Sequence, residues 1–214
     1  MTLENWDNNR SLPEGHVELV RGEVVVGPAE TVGTRLVVAQ VRQVLSDALP
    51  AGWRAVTDVQ VTVDPVAPTV RRPDVVVLAP EVDAEVPRID PPHVALAVEV
   101  MTPETYERDW VEKRAEYAAA GIASYLIVDA DGETLTAFTE PGATGYKKHN
   151  EGRLATREIS GVPVQLDAVG LIVKDVSENE LRLFRSPANA RRLPDSFVRA
   201  RLGDVEDLDL DQSP

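Results

Sequence analysis

The chain reads as one α/β domain, a mixed β-sheet flanked by helices, and three observations predict it. Val75–Leu78 and Val94–Met101 are near-continuous apolar runs, the pattern of central strands covered on both faces. Thr31 to Leu49 and Thr102 to Ala120 carry apolar residues at helical spacing. The resulting order is strand–helix–strand–strand–strand–helix–strand, which interleaves the two kinds of element and argues against a sandwich of sheets alone.

Taken in order, residues 1–15 read as irregular. His16–Val20 and Glu23–Val26 are short β-prone runs joined by Arg21-Gly22, a tight hairpin turn. In the first helix Leu36, Val37, Val41, Val44, Leu45 and Ala48 share a broad face, and Pro50-Ala51-Gly52 ends it. Trp53–Val63 alternates apolar and polar residues, which predicts a single half-buried strand. The Pro- and acid-rich stretch Pro80–Pro92 links the two central strands. Thr102 is a good N-cap with Pro103 at the first helical position, and Gly121 stops that helix. Tyr125–Val128, Thr134–Thr139 and Tyr146–Lys148 are the remaining predicted strands. The pattern weakens beyond Gly161, so the domain is expected to span 1–170, followed by a C-terminal extension, 171–214.

Composition narrows the class. Apolar residues at 43% and charged residues at 27% are ordinary for a globular chain of 214 residues, long enough for a real core. There is no cysteine, which excludes disulfides and thiolate metal sites and points to a reducing cytoplasm. The first thirty residues contain no apolar signal core, and no apolar run reaches the roughly 18–20 residues of a membrane span. The formal net charge of −14 runs against a nucleic-acid partner unless basic residues cluster locally. The extension is polarised. Six arginines lie between Arg182 and Arg201 against one acid, and five acids without a base follow from Leu202 to Pro214, an acidic tail expected to be disordered.

The informative region is Arg72 to Asp129. Asp74 opens one central strand, and Glu99 is the single charge in the next. Carboxylates in such oily elements are costly unless each meets a charge partner, a metal or a hydrogen bond. If the two strands are adjacent and antiparallel, as their loop connection implies, Asp74 and Glu99 converge and could hold Mg²⁺, with Mn²⁺ able to substitute. On the following helix Tyr106, Trp110, Lys113, Tyr117 and Ala120 fall on one stripe, so Lys113 can bury its stem and aim its ammonium at Glu99. The competing reading is a surface Asp109–Lys113 pair at i,i+4. Two carboxylates, a divalent metal and a cation are the components of phosphodiester hydrolysis.

The segments Glu18-Leu19-Val20-Arg21-Gly22-Glu23, Arg72-Pro73-Asp74, Val98-Glu99-Val100-Met101-Thr102-Pro103-Glu104-Thr105, Asp109…Lys113…Tyr117 and 121–129 (GIASYLIVD) resemble, in order and spacing, the Uma-type family of predicted restriction endonucleases. That family lies within the PD-(D/E)XK nuclease superfamily. The resemblance runs from about Val17 to Thr139. It implies a restriction-endonuclease-like core and a magnesium-dependent nuclease. Asp74 and Glu99 would be metal ligands, Lys113 the catalytic lysine, Glu18 an accessory catalytic acid, and Glu23 a second accessory. The chain also departs from the pattern. Met101 stands where the superfamily usually has its lysine, which suits the branch in which that lysine moved to the helix. Glu30 lies near a position often held by histidine, and Arg21 replaces a common acid.

Other conspicuous residues read as structural. His16, His93 and His149 are not at metal-ligand spacing. Gln60 falls on a solvated face, Asp129 caps a turn, and Trp110 and Tyr117 belong to the core. The function expected is a metal-dependent endonuclease acting on DNA, with Arg71, Arg72, Arg108, Lys147, Lys148 and the arginines of 182–201 supplying the basic surface. Double-strand cutting by one site per chain would call for a homodimer. The alternatives are a catalytically silent module on the same fold that binds a protein partner or dimerises, and a nuclease of RNA or single strands.

Overall fold

In the computed structural model the described residues are 1–167, apart from 10, 130, 132, 160 and 161. They belong to one compact unit, Met1–Phe184. The expected boundary at 170, the basic segment and the acidic tail lie outside the described residues.

The chain is α/β. A short helix, α1 (Leu3–Asp7), occupies the stretch expected to be irregular, with Thr2 capping it through the Asn5 N–H. Strands β1 (Val17–Val20) and β2 (Glu23–Val26) form the predicted hairpin. Its turn is Arg21-Gly22, both at positive φ (51° and 83°), the geometry that matches the twist of two-residue hairpins and favours glycine at the second position. Helix α2 (Val32–Ala48) starts at the cap Thr31 and buries Val37, Val41, Val44 and Leu45.

The predicted strand over 53–63 is two strands. β3 (Arg54–Val56) and β4 (Val61–Asp64) are separated by a turn in which Asp58 adopts φ 65°, a conformation short polar side chains tolerate. They join different sheets, so the continuous alternation reflects two short edge strands in series. A strand the alternation did not reveal, β5 (Thr69–Arg71), pairs with β4 and β1. Next come β6 (Val75–Leu78), a 3₁₀ turn at Pro91–His93 and β7 (Val94–Met101). The second helix is not uniformly α-helical. Arg108–Lys113 is a π-helical turn that passes into α3 (Arg114–Ala119), and Gly121 at φ 80° closes it. The last described strands are β8 (Ser124–Asp129), β9 (Thr134–Thr139), β10 (Lys148–Gly152), β11 (Leu154–Ile159) and β12 (Val162–Asp167).

The strands form a four-stranded sheet of order β2-β1-β5-β4, a six-stranded sheet of order β10-β9-β8-β7-β6-β3, and the hairpin β11-β12. Only β7 and β8 run parallel among these pairs, joined by the crossover that carries the π turn and α3. The long sheet has two covered faces. Leu96, Val98 and Val100 pack with Val75, Val77 and the buried face of α2, while Ala97, Met101, Val76 and Leu78 pack with Tyr117 and Ile122. By the two-residue period of a strand, Asp74 and Glu99 stand on the second face, under α3. No helix among the described residues is long and apolar enough to cross a membrane.

Candidate active site

Strands β6 and β7 are antiparallel neighbours with Val75 opposite Val98, so Asp74 and Glu99 come side by side, as the loop between their strands implied. Asp74 precedes β6, and its Oδ2 accepts the Val100 N–H at 2.6 Å, which fixes the carboxyl against the end of β7. Glu99 is 2% exposed. Its Oε1 accepts from the Tyr117 hydroxyl at 2.7 Å and lies 2.9 Å from Lys113 Nζ. With Oε1 so engaged, Oε2 remains for another ligand.

Lys113 is 3% exposed and meets three carboxylates: Glu99 at 2.9 Å, Glu18 at 3.4 Å and Asp109 at 3.6 Å. The two sequence readings of Lys113 therefore meet in one arrangement. The Asp109–Lys113 pair exists, but it is buried, and it points at the sheet. The π turn accounts for the departure from the predicted stripe. Asp109, inside that turn, is 2% exposed, whereas Tyr106, just before it, is 54% exposed. Such single-turn π insertions recur at functional sites. Asp109 is thus a member of the cluster, where the competing sequence reading left it in a surface pair with Lys113. Tyr125 braces the turn by donating its hydroxyl to the Asp109 carbonyl at 3.0 Å.

Glu18 is also buried. Its Oε2 takes Arg71 Nη1 at 2.9 Å, and its Oε1 takes the Arg72 N–H at 3.0 Å and faces Lys113. Behind it Arg71 is fully buried, with Glu116 at 2.6 Å and Glu112 at 3.3 Å. Arg71 therefore cannot serve the basic surface assigned to it from sequence. Its neighbour Arg72 is held by Asp58 and by the Gly15 carbonyl. Lys148 pairs with Glu140, and Arg108 lines the site cavity. Glu23 is exposed on β2 and does not line the site cavity. Gln60 is not solvated as expected: its Oε1 accepts the Trp6 indole N–H at 2.7 Å.

Of the three histidines, His93 and His149 do not line the site cavity. His16 does, and it is the residue that spacing along the chain passed over. Its Nε2 lies 3.4 Å from Glu18 and its Nδ1 4.0 Å from Glu30.

The electrostatics follow from burial. Burial pushes Asp74 up to about 6, although Lys113 and the Val100 N–H oppose it. Burial likewise holds Glu99 well above the carboxylate range, against the pull of Lys113, with Asp74 adding repulsion. Glu18 is driven the other way. Its burial is outweighed by Lys113, His16 and Arg71, and it stays well below the usual range. Lys113 loses solvation but gains four carboxylates, which raise its pKa and keep it charged. Three buried carboxyl groups (Glu18, Glu99 and Asp109) and the half-buried Asp74 thus share Lys113 and an Arg71 that Glu112 and Glu116 also draw on. The cluster is short of positive charge, and Asp74 and Glu99 bear the deficit. An oxygen donor set of this kind, opening on a cavity of about 230 Å³, fits a hard divalent cation.

Compared with protein families, residues 3–169 match the Uma2 family, described as "Putative restriction endonuclease". Among solved structures, the chain is similar to a "putative nuclease belonging to DUF820" from Anabaena variabilis. The TM-score is 0.62 at 14% identity, covering 80% of this chain and 97% of that one. At that identity the likeness is one of fold. No curated protein matches the chain.

Proposed function

We propose that this chain, which belongs to the Uma2 family, is a metal-dependent nuclease that hydrolyses phosphodiester bonds of DNA. The observation that carries the reading is the buried carboxylate cluster around Lys113, short of one or more positive charges and open to a cavity. Asp74 and Glu99 would hold Mg²⁺ or Mn²⁺, with the Val100 carbonyl as an additional ligand. When bound, the ion would polarise the phosphoryl oxygen and acidify the attacking water.

The chain's own residues supply the rest. Lys113, fixed by three carboxylates, keeps its charge and orients the attacking water or a phosphate oxygen where negative charge develops. Tyr117 fixes the Glu99 carboxylate in one rotamer through a 2.7 Å bond. Glu18 has both oxygens engaged, so its part is to hold Lys113 in place. Arg108, which lines the cavity with Lys113, is the cation left to meet a substrate phosphate.

Plasmid cleavage at low salt with Mg²⁺ or Mn²⁺, beside Glu99→Ala, Lys113→Ala and an EDTA control, tests the reading. Nicking that needs the ion and is lost in both variants supports it. Absence of cleavage on duplex and single-stranded DNA would favour a silent interaction module on the same fold, which the net charge of −14 makes the natural competitor. Cleavage unaffected by either substitution would refute the site.

A further inference from the structure

The fold gathers three side chains that the sequence separates. His16 precedes β1, Glu30 precedes α2 and Asp74 precedes β6, and one ligand atom from each lies within 4.8 Å of the others. The contacts of His16 carry the argument further than proximity alone. Its Nε2 is 3.4 Å from Oε1 of Glu18, a carboxylate 1% exposed. A buried carboxylate at one ring nitrogen makes that nitrogen the donor and leaves the lone pair on the other, the orienting device found behind metal-bound histidines.

The other nitrogen, Nδ1, faces Glu30 Oε1 at 4.0 Å. Two acceptors then oppose each other across a gap that favours a cation between them. One ion can bridge the gap with a small closure: an imidazole nitrogen at about 2.0–2.1 Å and a carboxylate oxygen at about 2.0–2.2 Å stand roughly 3.4 Å apart at a tetrahedral angle and up to about 4.3 Å apart when opposed. Glu30 keeps Oε1 free for this, because its ion pair with Arg35 uses Oε2 at 3.2 Å. That pair is 71% exposed on the arginine side and offers little competition. The place is also accessible. The site cavity and a second one of about 720 Å³ share His16, Glu30 and Asp74 in their walls.

We infer that His16, Glu30 and Asp74 form a second divalent-cation site, set for a first-row transition ion rather than magnesium. One imidazole with two carboxylates suits Mn²⁺ through Zn²⁺, whereas magnesium favours oxygen alone. The site rests on the nuclease reading only in sharing Asp74 with it.

The test is calorimetric and spin-resonance titration of the full chain with Mn²⁺ and with Mg²⁺. Two Mn²⁺ and one Mg²⁺ are expected to bind, and pulsed spin resonance should show ring-nitrogen coupling to one Mn²⁺. His16→Ala should remove the coupling and one Mn²⁺ equivalent while keeping the Mg²⁺ equivalent. Glu99→Gln should do the reverse, keeping the nitrogen-coupled ion. Mn²⁺ bound without nitrogen coupling, or a His16→Ala titration identical to wild type, overturns the inference and leaves His16 an ion-pair partner of Glu18 and Glu30. A nitrogen-coupled ion as the sole equivalent, insensitive to Glu99→Gln, would sustain this site while removing the nuclease ion.

Discussion

Glu99→Gln should lower cleavage at least about 100-fold and leave the folded protein no less stable than wild type. The first half follows from the position of Glu99 as a proposed ligand: even outer-shell partners of a metal cost 10–100-fold when removed, and a ligand costs no less. The second half has the opposite sign to most core substitutions, and the charge balance explains it. Burial, with repulsion from Asp74, holds the Glu99 carboxyl well above its ordinary range. An acid raised in the folded state contributes stability only when protonated, and that contribution fades as pH rises from its unfolded pKa towards the folded one. Above the unfolded pKa, and so at pH 7, this raised pKa is a cost to stability, which the isosteric amide removes. Lys113 still keeps Glu18 and Asp109. The measurements are cleavage rate at saturating Mg²⁺ and urea unfolding at pH 7 with EDTA present. A variant that cuts like wild type removes Glu99 from the site, and one that unfolds much more easily refutes the charge argument. Sites that trade stability for chemistry in this way are a general feature of enzymes.

The legible parts of this fold are those governed by local pattern. Two apolar runs joined by a loop had to be neighbours, and that alone brought Asp74 beside Glu99. The Arg21-Gly22 turn and the Gly121 stop follow from backbone preferences that need no partner. What escaped the sequence depends on distant contacts. Apolar alternation reports which residues are half-buried but not which sheet buries them, so β3 and β4 read as one strand. Arg71 read as surface because charge is normally exposed, yet carboxylates 45 and 53 residues away make its burial tolerable. Asp109 was legible only as a partner of Lys113, because i,i+4 spacing says that two side chains meet and not whether the pair is buried. His16 lies 14 and 58 positions from Glu30 and Asp74, a spacing no linear motif captures. Its one sequence signal was its place next to the Glu18 segment that the family resemblance had already singled out.

Arg71→Met should destabilise the protein by about 3–5 kcal/mol, the range for breaking a buried ion pair from one side. Arg71 is fully buried, and its guanidinium holds Glu18 at 2.9 Å and Glu116 at 2.6 Å. Burial works against its charge, but Glu116 and Glu18 outweigh that and keep it a cation. Methionine fills much of the same space and offers nothing to either carboxylate. Glu116 is 20% exposed and can turn to water, whereas Glu18, at 1%, cannot. The cost should therefore fall mainly on Glu18, and Arg71→Met combined with Glu18→Gln should recover most of it. A cycle of the two single variants and the double variant, followed by urea unfolding, gives the coupling directly. A single variant within 1 kcal/mol of wild type would show that the network is not what holds β5 to β1, and additive losses would show that Glu18 is not the group left stranded. Cleavage should respond differently from stability. In the double variant Lys113 loses one of its three carboxylate contacts, so the fold returns while the lysine is held less firmly. If Glu18 acts by positioning Lys113, cleavage stays low in a protein that is again stable.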